Sequence, residues 1–256
     1  DELGELIDKK IHSTDNGTTF LQSNDYRYNI RGWLTNINNS DLTGEDSGDP
    51  KDLFGMQLAY NTDLGIGGNN QFYDGNIGAI KYTGISDGDN AMERAFNFSY
   101  DNLNRITNSN YKLKMPGWIS GGNSLTEGSI TYDNNGNIKA LTRNKLDETG
   151  LDVLTYNYGS GTTQSNKLLS VSDGGDDYAG FVDGNTSGND YEYDGNGNLT
   201  KDRNKGIDSI KYNHLNLPKR IKWSNGKWIN YIFDASGTKL AKIVYDGSAQ
   251  KRSDYI

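Results

Sequence analysis

A tyrosine–aspartate dipeptide recurs along this chain in a fixed frame, and that recurrence limits the fold more than any other feature. Ile130-Thr131-Tyr132-Asp133-Asn134-Asn135-Gly136-Asn137-Ile138 and Tyr191-Glu192-Tyr193-Asp194-Gly195-Asn196-Gly197-Asn198-Leu199 share Tyr-Asp, two small polar residues, Gly-Asn and an aliphatic residue. Phe98 to Ile106 repeats the frame around Tyr100-Asp101, with Asn at the glycine position. Ile210 to Pro218 repeats it around Tyr212, with Asn213 for Asp, and Tyr231 to Leu240 around Phe233-Asp234 with Gly237. A degenerate copy runs from Tyr26 to Leu34. Tyr193, Tyr212 and Phe233 stand 19 and 21 residues apart.

The frame has a physical reading. Ile229, Tyr231 and Phe233 alternate with Asn230, Ile232 and Asp234, and a period of two is a strand. The Asp-x-x-Gly that follows is a turn, because Asp accepts bonds from nearby backbone donors and Gly takes a left-handed position. An aliphatic residue, Ile138, Leu199 or Leu240, then opens the return strand. Each unit of about 20 residues is thus one hairpin. A lone hairpin is not stable in water, so neighbours must stack edge to edge into one long, curled antiparallel sheet. The expected fold class is all-β, a single repeat array over residues 1–256 with no domain linker. The start at Asp1 and the strand-like ending at Tyr255-Ile256 read as a segment of a longer chain.

Composition agrees with a thin sheet. Apolar residues are only 33%, but there are 17 Tyr, 7 Phe and 4 Trp, and tyrosine buries a ring while keeping its hydroxyl wet. The net charge of −8, with no basic run, argues against nucleic acid and anionic membrane. Absence of cysteine excludes zinc fingers, iron–sulfur sites, disulfides and thiol nucleophiles. No stretch approaches the apolar length of a membrane helix. Acidic or glycine-rich insertions interrupt the array at Asp41–Asp49 and Asp173–Asn189, a helical turn is expected around Asn90–Arg94, and Leu113–Ser124 reads as irregular.

These residues resemble the RHS/YD-repeat proteins of bacteria. The stretches Tyr26–Ile37, Tyr73–Tyr82 and Phe98–Thr107 are especially similar to the region upstream of that family's conserved core. The resemblance implies a hollow β shell, or part of one, which in many members encloses a C-terminal toxin and in others serves adhesion or carbohydrate recognition at a cell surface. The family's core carries an aspartyl self-cleavage motif, Asp-Pro-x-Gly. Asp49-Pro50-Lys51-Asp52 lacks the glycine and does not match, so no catalytic residue is expected in this segment. The implied location is secreted or cell-surface. The implied partners are the rest of the chain or a toxin cargo, with a surface glycan or a secretion or outer-membrane complex as the alternative.

Other candidates are weaker. His214 falls in a repeat turn, and His12 has no evident partner. Ser160, in Gly159-Ser160-Gly161, lacks a nucleophile-elbow frame. Nothing marks one pair among the 34 acidic residues for glycoside hydrolysis. Asp183, Asn185 and Ser187 have the first, third and fifth donors of a calcium loop, with Gly188 sixth, but the twelfth position is Asp194, already used by a repeat, so a glycine-rich loop is the preferred reading and no cofactor is expected. Gly65-Ile66-Gly67-Gly68 resembles a phosphate turn without its Lys-Ser/Thr ending. Of Trp33, Trp118, Trp223 and Trp228, Trp118 beside Pro116-Gly117 is the best candidate for contact with a glycan, against packing within the sheet.

Overall fold

The computed structural model describes residues 3–43, 52–85 and 91–255. It is all-β, built of antiparallel strands, with no α-helix among the described residues. Two compact units are resolved: Asp1–Ile130 with Thr142–Thr149, and Thr131–Leu141 with Gly150–Ile256.

The first unit contains β1 (Asp8–Ile11), β2 (Gln22–Tyr28), β3 (Leu34–Ile37), β4 (Phe54–Ala59), β5 (Ala79–Gly84), β6 (Arg94–Tyr100), β7 (Ile106–Met115) and β8 (Gly117–Ser120). Each of these pairs with the next in sequence. The division then runs through β9 (Glu127–Tyr132) and β10 (Ile138–Asn144). β9 lies against β7, with Ser109 opposite Glu127, so β8 is a side branch of β7. The core here is small: Ala59, Leu64, Ile66, Ala79 and Ala95 are buried together. Three alanines among five residues let the loop residue Ile66 settle close onto the sheet, and it is only 1% exposed. That close contact supplies the dispersion a chain poor in large aliphatics otherwise lacks.

The second unit holds β11 (Gly150–Asn157) paired with β12 (Ser170–Asp173), then a seven-stranded sheet of β13 (Tyr191–Tyr193), β14 (Leu199–Asp202), β15 (Ile207–Tyr212), β16 (Pro218–Trp223), β17 (Trp228–Phe233), β18 (Lys239–Tyr245) and β19 (Gln250–Asp254), in sequence order. The ladder between β12 and β13 is not a regular backbone pairing. The wholly buried Asp190 accepts the Val171 N–H through Oδ2 at 2.7 Å, while the Asp190 N–H donates to the Leu169 carbonyl at 2.8 Å. A carboxylate stands in for a rung of the sheet, which satisfies a backbone donor that burial would otherwise leave costly. The 173–189 segment before it is irregular, but it is closely held: the Phe181 N–H donates to the buried Asp152 at 2.6 Å.

The turn is the same in all six copies of the repeat frame, and the turns at Lys145 and Trp223 make the same pair of backbone bonds. The Asp133 N–H donates to the Asn137 carbonyl, and the Gly136 N–H to the Asp133 carbonyl, at 2.9 and 3.1 Å. Asn29, Asp101, Asp194, Asn213 and Asp234 repeat both bonds with their own turn residues. The fourth turn position is left-handed throughout, with φ of 87° at Gly136 and Gly197, 94° at Gly237, 72° at Gly32, 60° at Asn104 and 56° at Asn216. Only Gly and Asn take that position cheaply, which is why those two residues alternate there. In five of these hairpins the return strand carries one extra residue, a β-bulge at Thr35, Thr107, Thr200, Lys219 and Leu240, near Tyr28, Tyr100, Tyr193, Tyr212 and Phe233 on the facing strand.

The bulge corrects one expectation. Phe233 faces Lys239, as Tyr193 faces Leu199, so Lys239 rather than Leu240 opens that return strand, and Leu240 is 42% exposed. Leu113–Ser124 is likewise not irregular as a whole: β7 and β8 form a tight hairpin in which Lys114 faces Trp118. Tyr73-Asp74-Gly75-Asn76 is a turn with no strand before it. Of the two remaining expectations, the 41–49 insertion falls outside the described residues from position 44 on. The helical turn at Asn90–Arg94 does so at position 90, while residues 91–93 are irregular and Arg94 begins β6.

The turn geometry yields a prediction. A Cβ at Gly197 meets nothing within 4 Å, so the cost of Gly197→Ala is purely conformational, about 1–2 kcal/mol. Gly195→Ala, in the same turn but without a positive φ and equally open, should be close to neutral. Gly197→Asn should fall between them, since Asn104 and Asn216 occupy that slot. Urea unfolding midpoints check the order, and equal losses for the two alanine variants would contradict it.

Candidate functional site

The feature that recurs with the turns is a contact between hairpins. The Tyr212 hydroxyl donates to the Leu199 carbonyl at 2.8 Å, and the Tyr193 hydroxyl to the Leu168 carbonyl at 2.8 Å. In the first unit the Tyr100 hydroxyl donates to the Ile77 carbonyl at 2.9 Å, Tyr60 to Leu34 at 3.0 Å and Tyr28 to Leu6 at 3.1 Å. In four of the five the acceptor lies where the preceding hairpin begins its return strand. The strand delivers the ring, and the hydroxyl closes on a main-chain carbonyl of the preceding hairpin. Burial raises the pKa of Tyr60, Tyr100, Tyr193 and Tyr212, which keeps these hydroxyls protonated donors.

The aspartates complete each turn from within. Asp194 accepts the N–H groups of Asn196 and Asn198, each at 2.9 Å, and the Asn198 amide at 2.9 Å. Asp133 does the same with Asn135 and Asn137. At Asp101 the side-chain donor is Arg105, and at Asp234 it is Ser236. These side-chain donors, and then the turn N–H groups, hold all four carboxyls below the ordinary Asp value. The amides also reach to the next turn. Asn196 and Asn198 both donate to the Asn216 side chain, at 3.1 and 2.9 Å, and Asn135 and Asn137 to Asn166, at 3.0 and 2.9 Å.

Two further hairpins carry Tyr-Asn before an insertion and so lack the Tyr-Asp frame. Tyr60-Asn61 directly follows β4, and Tyr156-Asn157 lies at the end of β11, but insertions separate each from its return strand. In the first, the Tyr60 hydroxyl makes the anchoring bond, and Tyr73, which opens the Tyr73–Tyr82 stretch, is 66% exposed. A Tyr-Asn followed at variable distance by an aliphatic strand was the available signal. Nothing in the sequence marked Asn166, Asp152 or Asp190.

The remaining candidates are dispersed. His12 and His214 are both exposed, and His214 lies in its repeat turn. The Ser160 N–H is bonded to Thr163 Oγ1 at 3.3 Å in a short 3₁₀ turn. The carbonyls of Ile66, Gly67 and Gly68 point to the Lys112 ammonium at 2.9, 3.1 and 3.0 Å, so this turn receives a cation, the opposite of a phosphate cradle. Trp118 is half-buried against the alanine-rich core, and Trp33 packs on Tyr60 with ring centroids 5.0 Å apart. In the 183–188 loop, Asp183 accepts the Asp173 N–H, whereas the Asn185 amide donates to the Ser187 carbonyl and to Asp190. Among the described residues no group of three or more acidic or histidine side chains is placed to hold a metal ion. A polar cleft of about 700 Å³ borders Asp133, Asn135, Lys139 and Gln164, and Asp133 there is already engaged by its turn.

The depressed aspartates imply an acid transition. Their folded-state pKa lies below the unfolded one, so their contribution is complete above the ordinary Asp value and is lost as pH falls through the folded value. Asp246, in the β18–β19 turn, is brought to about 2 by the N–H groups of Ala249 and Ser248. Thermal midpoints should therefore change little from about pH 8 to about pH 5 and fall between about pH 4 and about pH 2. Asp133→Asn with Asp194→Asn should make that fall shallower, because Asn holds the same turn at position 213 without titrating. An unchanged acid limb would contradict this reading.

No family model and no curated protein matches the chain. Solved structures it is similar to include the TcdB2–TccC3 complex with Cdc42, at 12% identity and a TM-score of 0.37 over 91% of this chain and 14% of that one. The TcdB2–TccC3 complex itself matches at 9% identity and a TM-score of 0.34 over 91% of this chain and 11% of that one. The Photorhabdus luminescens Tc holotoxin pore matches at 11% and 0.19 over 88% and 16%. The chain thus spans less than a fifth of the chains it matches, and at these TM-scores the assignment of an all-β hairpin array rests on the pairings and turns described above.

Proposed function

We propose that this chain is a non-catalytic structural scaffold, a stretch of RHS-type hairpin array that forms part of a β shell in a large exported bacterial protein. The observation that carries the reading is the bond from a tyrosine hydroxyl to the preceding hairpin, repeated along the chain. An array joined this way extends by adding units, as a wall does, and each unit's polar groups are spent on its neighbour. The aspartates that would be the natural acids and bases of an enzyme are engaged by turn N–H groups. Resemblance of the repeats to the RHS/YD family supports the further reading that the shell encloses a polypeptide cargo such as a toxin, and that the protein acts outside the cell or at its surface.

Limited proteolysis tests this. In the native polypeptide, any domain downstream of Ile256 should survive protease treatment that digests it when isolated, while the hairpins of residues 191–255 stay intact. Digestion of such a domain at equal rates in both settings contradicts enclosure. Turnover of ester, peptide or glycoside substrates above that of buffer, abolished by a single substitution in the chain, contradicts the scaffold itself.

A further inference from the structure

The charge of this chain is segregated. Residues 191–256 carry 12 Lys and Arg against 7 Asp and Glu, whereas residues 1–190 carry 14 against 27. The strand registers sort the basic excess further. Directly opposed residues of antiparallel strands share a face. Lys211, Arg220, Asn230, Ile243 and Arg252 are opposed in series across β15 to β19. Lys222, Trp228, Tyr245 and Gln250 form the neighbouring row on the same face. The opposite face carries Ile210, Ile221, Ile229, Val244 and Lys251 in one row, with Lys242 in the next. Lys211, Arg220, Lys222 and Arg252 are all exposed. The acids on this face include Asp254, bonded to Arg252, and, toward β13, Glu192, bonded to Lys201 and Arg203.

We propose that this basic face of the seven-stranded sheet binds an acidic, extended polypeptide segment. The inference stands apart from the scaffold reading, since a shell needs no such face and such a face needs no shell. Arg220 and Lys222 are two apart on one strand, a spacing of about 6.6–6.8 Å, which equals the spacing of alternate side chains on an extended peptide. Acidic residues at every second position therefore match them one to one. A cleft of about 360 Å³ lies beside them, bordered by Lys211, Arg220, Asn230, Ile232 and Ile243. It offers an amide for peptide backbone and an apolar wall for one aliphatic side chain.

The same face is poorly made for single-stranded nucleic acid, which needs aromatic rings free to stack on bases. Trp228 already has the Arg220 guanidinium 5.1 Å from its ring centroid and Tyr245 stacked on it at 5.7 Å.

Fluorescence anisotropy with a labelled (Glu-Ser)5 decapeptide tests the proposal on the intact chain. Saturable binding is expected at about 50 mM salt, weakening about tenfold by about 300 mM salt as screening shortens the reach of the charges. Arg220→Gln with Lys222→Gln should weaken binding about tenfold, with circular dichroism unchanged, while Lys9→Gln with Lys10→Gln, in the other unit, should not alter it. Absence of saturable binding, equal loss in both double variants, or tighter binding of a thymidine decanucleotide or of phosphatidylserine vesicles would overturn it.

Discussion

A hydrogen bond between a tyrosine hydroxyl and a carbonyl one hairpin earlier is the constraint on which this architecture depends. A hairpin of three to ten residues a side buries too little to hold itself together in water. Here the next unit's tyrosine bonds to it beside its turn, and its own tyrosine does the same for the one before. Such a bond contributes only about 1 kcal/mol net, but it recurs, and each copy also covers a ring. Stability is then distributed along the chain as in other repeat proteins, as terms within units and terms between neighbours.

The aspartate and the tyrosine have separate tasks that the dipeptide joins. Asp133 and Asp194 organise the turn of their own hairpin, gathering N–H groups two and four residues on. Tyr193, one residue before its aspartate, stays opposite Leu199 in its own hairpin while its hydroxyl reaches the Leu168 carbonyl of the hairpin before. Phe233 keeps the ring and lacks the hydroxyl, and there Lys239 lies over the Tyr231 ring at 4.9 Å. Asn166 and Asn216 add a second connection between successive turns in the second unit, through amides alone.

Much of this was legible in the sequence. Asp-x-x-Gly followed by Asn identified the turns at Asp133 and Asp194, because the left-handed slot admits few residues. Alternation before Phe233 identified a strand. What escaped notice did so for physical reasons. Tyr60 and Tyr156 lie before long insertions, so no turn residue followed at the expected distance. Leu240 reads as the opening of its return strand, but it is the extra residue of a bulge, and bulges leave no sign in a period-two pattern. Pro116 and Gly117 suggested an irregular loop, yet they sit at the tip of the hairpin that carries Trp118 onto the core. The basic face was hidden by a net charge of −8. Lys211, Arg220, Lys222 and Arg252 belong to three strands and form no run, and only the register brings them to one side.

The central claim is that each tyrosine stabilises the hairpin before its own. Native-state hydrogen exchange on Tyr212→Phe tests it most directly. Tyr212 belongs to β15, but its hydroxyl serves the carbonyl of Leu199 in β14. Loss of amide protection should therefore appear in the β13–β14 hairpin as well as in β15 and β16. Loss confined to β15 and β16, with β13 and β14 as protected as before, would contradict the account.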